Sequence, residues 1–263
     1  MNMKLTVSVK NAAGETLASA CGEGRVFLEY KAAYQPGDVL CLASDEAGYV
    51  VAQLEDSLPE TFGRLNTEAS LPIPFEERRI CYSPKCFMGE EHLIWARCAT
   101  EAEISARRNL ALNPLDCHAN SGLFPHATAN VETRGEASFE ARNAIDGVYA
   151  NEGHGVYPYS SWGINRDPNA ALTIDFGRAV TVDEVVVTLR NDFPHDNWWQ
   201  SAVIRFDDGS SETLHFEKVA HPQHTAIAPR TVHTATLEQL IQCPDDPSPF
   251  PALTQLEVWG TEA

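Results

Sequence analysis

The chain has 263 residues, 43% hydrophobic and 21% charged, with 16 Gly and 16 Pro, which excludes collagen-like, low-complexity and wholly disordered chains. Its 19 Lys+Arg against 37 Asp+Glu leave a net charge of −18 shared by both halves, with no basic stripe, so nucleic acid is not expected as a partner. No apolar run reaches the ~18 residues of a membrane span, and the length suits one large or two modest domains.

Period-two patterns dominate the first half. Leu5, Val7 and Val9 alternate with Thr6 and Ser8 as a strand that Gly14 ends, and Val26, Leu28 and Tyr30 alternate next. A Gln-Pro-Gly-Asp turn at 35–38 leads into the apolar run Val39–Ala43. Tyr49–Leu54 reads as a strand, and Arg79–Tyr82 and Leu93–Ala96 are further candidates between breaks at Pro72, Pro74 and Pro84. This half is expected to be a small β-sandwich. The one convincing helix is Thr100–Arg108, where Thr100 and Glu103 have capping-box spacing and arginines close the segment. Asn109–Pro114 then returns to extended chain, so the expected domains are 1–108 and 109–263.

The second half reads as strands at Ala171–Phe176, Val182–Leu189, Ala202–Phe206, Glu212–Phe216 and Thr254–Gly260, with an Asp-Asp-Gly hairpin turn at 207–209. Strands at this spacing without helical periodicity predict an all-β sandwich or jelly roll. The proline-rich Cys243–Pro251 reads as an extended return to the last strand. His221, His224 and His233 lack a partnering Cys or carboxylate cluster and are expected to be solvated loop residues.

Six short motifs then occur in order: Asn109-Leu-Ala-Leu, Ala144-Ile-Asp-Gly147, Ser161-Trp162, Leu172-Thr-Ile-Asp-Phe-Gly177, Phe206-Asp-Asp-Gly209 and Leu256-Glu-Val-Trp-Gly260. Together they resemble the discoidin-like family, which spans coagulation factor V/VIII C-type domains and family 32 carbohydrate-binding modules, over residues 109–263. The resemblance implies a galactose-binding-like jelly roll whose loops at one end bind a glycan, or less often a lipid or protein. It also implies a structural Ca²⁺ beside the Ala-x-Asp-Gly turn. Asp146 would be a carboxylate ligand, the Asn143 carbonyl would lie nearby, Glu257 would be the second carboxylate and Asn151 a further candidate. Such hard oxygen ligands suit calcium; the alternative is that Asp146 only caps a turn. The 14 residues between Gly147 and Trp162 depart from the family's shorter segment and leave the rest of the ligand set open.

Two segments carry the candidate sugar contacts. Asn151–Trp162 supplies His154, Tyr157, Tyr159 and Trp162, whose rings can stack on a pyranose or pin the loop to the sandwich; for Trp162 the resemblance implies a structural place. Arg190–Gln200 supplies Arg190, Asp192, His195, Asp196 and Trp198, which join hydroxyl donors and acceptors to an aromatic plane. A surface ion pair is the alternative for Arg190 and Asp192, and one of Trp198 and Trp199 should point inward.

No G-x-S-x-G, H-E-x-x-H, Walker or dinucleotide motif occurs, and adjacent acids such as Asp207-Asp208 do not make a glycosidase pair. Non-catalytic glycan binding is therefore the leading expectation. A glycoside hydrolase or lyase, or its accessory subunit, is the first alternative, and a protein-interaction module the second. The seven cysteines (21, 41, 81, 86, 98, 117 and 243) are odd in number and lack metal or redox spacing. The Met-Asn-Met-Lys start has no apolar stretch behind it. Both features point to a reducing, cytoplasmic setting, with a trimmed secreted parent as the second reading. The oligomeric state, the sugar and the role of the first half are not legible.

Overall fold

Leu5, Val7 and Val9 lie on one side of strand β1 (Lys4–Lys10) and are fully buried, as period-two chemistry requires. The computed structural model describes residues 3–120, 122–192 and 196–263. β1 is followed by β2 (Thr16–Glu23), β3 (Arg25–Tyr30), β4 (Val39–Ser44), β5 (Gly48–Gln53), β6 (Thr61–Leu65), β7 (Glu68–Pro72) and β8 (His92–Cys98). They form an antiparallel sheet of order β2-β1-β4-β7 and a second containing β6-β5-β8-β3, with one apolar cluster around Leu5, Leu40, Leu42, Val50 and Ile94. Three of these strands escape the sequence reading. β2 is built of small residues and has no buried position, and β6 and β7 are only five residues each.

Arg79–Tyr82 is not the strand its sequence suggested. Glu76–Arg79 is a 3-10 turn, and the Tyr82 amide donates back to Arg79 O at 2.9 Å. Cys81 and Tyr82 are both buried while Ile80 is exposed, so the segment has no alternating face, and Pro84 shortly after removes a ladder donor. Helix α1 (Glu101–Ser105) has the full capping box: Thr100 Oγ1 accepts from Glu103 N, and Glu103 Oε2 accepts from Thr100 N at 2.8 Å. It ends three residues earlier than expected because its arginines are drawn off. Arg107 pairs with Asp183 and Glu184, and Arg108 enters β9 (Arg108–Asn109) and pairs with Glu262.

The second half continues with β10 (Leu123–Phe124), β11 (His126–Ala129), β12 (Trp162–Gly163), β13 (Leu172–Leu189), β14 (Trp199–Phe206), β15 (Ser211–His215), β16 (Gln223–Gln242) and β17 (Ala252–Glu262). The strand order is β12-β17-β13-β16-β14-β15, with β11 on β13 and β9 on β17. The two strands expected at 171–176 and 182–189 are one 18-residue strand that slips register between Asp175 and Val180. Gly177 stands in that slip with φ +66°, and a Cβ there would lie 2.2 Å from the Phe124 ring. Only glycine fits both demands. The long β13 and β16 exchange partners along their lengths and carry the sheet around a core centred on Trp162 and Trp199, whose rings are 6.3 Å apart.

The Asp-Asp-Gly segment forms the hairpin between β14 and β15, with Gly209 N donating to Phe206 O at 3.1 Å. His224 and His233 are exposed as expected, but they stand on β16 rather than in a loop, against Glu184 and Asp207. The molecule is all-β. Among the described residues no helix is long and apolar enough to cross a membrane, and all seven cysteines are free.

The two apolar clusters interleave along the chain. Leu110 and Ala111 belong to the second core, but Leu115, Leu123 and Ala137 belong to the first. β10 pairs with β6, so the chain after residue 108 supplies an edge strand to the first half before building the second.

Candidate functional site

Strand β13 ends at Leu189 and delivers Arg190 to one end of the second core, where its amide donates to Ala252 O at 3.1 Å. The adjoining Asn191 amide donates to Asn151 O, and Asn151 Nδ2 donates to Leu189 O and Ala220 O. Asn151 therefore ties the 151–161 loop to the strand end.

The Arg190 guanidinium is almost fully buried and grips Asp196 with two nitrogens; its Nε donates to Oδ2 at 2.7 Å, while Nη1 reaches Ser161 Oγ at 3.4 Å. Asp196 Oδ2 also accepts from the Asp192 amide at 2.9 Å. Asp192 in turn hydrogen-bonds His154 Nδ1. A chain of paired groups thus fixes Arg190 and His154 beside each other, and a bidentate guanidinium–carboxylate pair has little freedom to turn.

Both residues line a cavity of about 490 Å³, a volume within the usual range for small-molecule sites. Its other walls include Phe139, Ile164, Asn165, Arg166, Arg134 and the Pro249-Phe250-Pro251 segment. Phe250 is 46% exposed, and the Arg166 guanidinium stands 4.5 Å from its ring centroid. Arg134, Asn165 and Arg166 all have positive φ, at 54°, 49° and 60°. Non-glycine residues rarely hold that conformation, and it concentrates where side chains are aimed for a purpose.

Of the candidate ligand contacts, the structure brings together Arg190 and Asp196 on the cavity wall, with Asp192 holding His154 against it. Both aspartates are buried rather than exposed. His195 lies outside the described residues. The expected aromatic contacts stand elsewhere. Trp162 is fully buried and its Nε1 donates to Val131 O at 3.0 Å, so it offers no ligand face. Trp198 packs half-buried against the core, and Trp199 is the inward-pointing member of the pair. Tyr159 lies over the Gly153 backbone. Tyr157 lines a separate groove with Ile80, Tyr82 and Pro84, and its amide donates to Ile80 O at 2.7 Å. Its loop is long enough to dock on the first half, which draws the ring away from the cavity.

Sequence reading did not single out Phe250, Arg166, Asn165, Arg134 or Phe139. A phenylalanine between two prolines in a polar segment was the one available signal for Phe250. Asn165 and Arg166 sit in an irregular turn whose left-handed backbone no periodicity announces.

The calcium expectation meets a specific obstacle. Asn143 O and Asp146 Oδ1 do converge, but the Gln255 side-chain amide fills the point of convergence. Its Nε2 donates to Asn143 O at 2.7 Å and to Asp146 Oδ1 at 2.9 Å. Glu257 accepts from Trp259 Nε1 at 2.8 Å, and Asn151 spends its amide on Leu189 and Ala220. Burial pushes the Asp146 carboxyl up to about 6. A calcium ion needs six to eight oxygens around one point. A donor N–H₂ group at that point does not fit one.

No family model matches the chain, and no curated protein sequence does. Among solved structures it is similar to chitosan-binding module 1 of a chitosanase/glucanase from Paenibacillus sp. IK-5, at 19% identity and TM-score 0.40, over 58% of this chain and 99% of that one. It is also similar to the family 32 carbohydrate-binding module of C. perfringens NanJ solved with galactose, at 19% identity and TM-score 0.38, over 51% and 91% of the two chains. The lectin domain of lectinolysin solved with Lewis B antigen gives 17% identity and TM-score 0.42, over 59% and 98%. These neighbours are carbohydrate-binding and lectin modules.

Proposed function

We propose that this chain binds a carbohydrate without turning it over, in the cavity between Arg190 and Phe250. One observation carries the reading: a guanidinium and an imidazole, each held by its own buried carboxylate, stand in a small-molecule-sized cavity that also contains an exposed aromatic ring. Sugar hydroxyls need oriented donors and acceptors, which Arg190, His154 and the Asn165 amide supply. The C–H face of a pyranose needs an apolar plane, which Phe250 supplies.

Among the described residues lining the cavity, the hydrolase alternative lacks a facing pair of carboxyl groups. Asp196 is the one carboxylate among them, and it is bound to Arg190 through both oxygens. A glycosidase of the usual kind needs two carboxyl groups facing each other across the bond to be cut.

The test is a broad glycan array followed by titration calorimetry of the hits. Affinity is expected between about millimolar and tens of micromolar, roughly 4–6 kcal/mol. Phe250→Ala should weaken binding by about 1 kcal/mol. Arg166→Ala should weaken it too, and neither change should move the melting temperature, because both side chains lie at the cavity rim. Failure to bind any glycan, or binding indifferent to both substitutions, rejects the site. Release of product from labelled oligosaccharides would instead favour the hydrolase reading.

A further inference from the structure

We infer that Gln255 does the work of a bound cation: its amide ties the 143–148 turn to strand β17, and the fold is independent of calcium. The side chain is 1% exposed. Its Nε2 lies within hydrogen-bond distance of Asn143 O (2.7 Å), Asp146 Oδ1 (2.9 Å) and its own neighbour Thr254 O (2.6 Å). Its Oε1 accepts from the Gly147 amide at 2.9 Å. The amide therefore reads three positions of one turn at once: a carbonyl, a carboxylate and an N–H.

The polarity of these contacts decides the matter. A cation attracts oxygens only, whereas the amide presents donors to Asn143 and Asp146 and an acceptor to Gly147. Exchanging it for a metal would require the amide to turn its oxygen inward. That would strand the Gly147 N–H, and a buried donor without a partner is costly. The Asp146 Oδ1 that the amide reaches is also committed to a backbone donor, because it accepts from Val148 N at 2.8 Å. Positive charge is already present: Arg142 is buried one residue before Asn143 and donates to Asn143 Oδ1 at 3.0 Å. Gln255 faces Thr188 across the β17–β13 ladder, so the turn is locked to β17 and, through that ladder, joined to the strand that delivers Arg190.

The inference is tested on the full chain by thermal melting and by elemental analysis of extensively chelated protein. For the wild type, chelator followed by millimolar calcium should leave the melting temperature unchanged, with no stoichiometric metal retained. Gln255→Met keeps the volume and removes every hydrogen bond, so it should melt lower, and calcium should not restore it. Gln255→Glu places a second carboxylate beside Asp146 and the Asn143 carbonyl. It should melt lower than wild type in chelator and recover when calcium is added. A wild-type melting temperature that falls on chelation and returns with calcium overturns the inference, as does a Gln255→Met variant as stable as wild type. A Gln255→Glu variant indifferent to calcium overturns the equivalence of amide and cation at this seat. The wild-type measurement decides the question even if a variant fails to fold.

Discussion

On the proposed reading, Asp196 joins recognition and stability in a single residue. Its carboxylate is 1% exposed and holds the buried Arg190 guanidinium through both oxygens. Removing it leaves a charge without a partner in a low-dielectric setting, which costs about 3–5 kcal/mol. Asp196→Ala should therefore lower the denaturation midpoint and abolish glycan binding together, whereas Phe250→Ala should affect binding alone. Chemical denaturation beside calorimetric titration separates the two; an Asp196→Ala variant of wild-type stability would show that the pair carries no structural weight. His126 gives a residue-scale pH dependence. Its Nδ1 lies 2.7 Å from Asp116 Oδ1, and that hydrogen bond raises its pKa above the ordinary 6.5 despite burial. A raised histidine pKa means that the folded state binds the proton more tightly, so the stability it adds is complete below 6.5 and is lost as pH rises through the folded value. Melting measured at about pH 6 and about pH 8 should show this loss, and His126→Gln should remove that part of the difference. A wild-type slope of the opposite sign, or one unchanged in the variant, would refute the assignment.

At the scale of elements, β1, β3, β4, β5, β8, β14, β15 and β17 were legible in the sequence and β13 was legible as two pieces, most of them because large β-branched or aliphatic residues carry their pattern. β16 was not legible although it is the longest strand, at 20 residues. Pro229 interrupts its pattern, and the structure places that proline where β16 slips register against β13, between the pairs Val182–Arg230 and Glu184–Ala226. A residue without an N–H is tolerated where the ladder is already broken. The candidate site divides in the same way. Arg190, Asp192 and Asp196 were visible because charged residues crowd a loop after an apolar strand. Phe250 and Arg166 were hidden because tertiary structure, not local pattern, brings them together. Gly177 is the element-scale position with the sharpest consequence. Gly177→Ala would demand a strained left-handed alanine and push its Cβ into the Phe124 ring, so a loss of about 1–3 kcal/mol is expected from denaturant titration. A neutral result would mean that β13 can turn this corner without the close approach of β10.

For the whole molecule, the path of the chain after residue 108 sets the cooperativity. Leu115, Leu123 and Ala137 are buried in the core of the first half, and β10 forms the edge of its five-stranded sheet. Losing a buried leucine from a core costs about 2–5 kcal/mol, while an entire domain is stable by only about 5–15. The two cores are further joined through Glu262 on β17, which accepts from the Tyr49 phenol at 2.7 Å and pairs with Arg108 and Arg178. Unfolding the second half would withdraw the leucines, the edge strand and Glu262 from the first in one step. The chain should therefore melt in a single calorimetric transition whose measured and van't Hoff enthalpies agree. A fragment of residues 1–108 should fail to show a cooperative transition, because its core lacks Leu115 and Leu123 and β6 is left an open edge. Two resolved transitions in the full chain, or a 1–108 fragment that melts cooperatively at the full-chain temperature, would show instead that the segment after residue 108 leans on the first half without completing it.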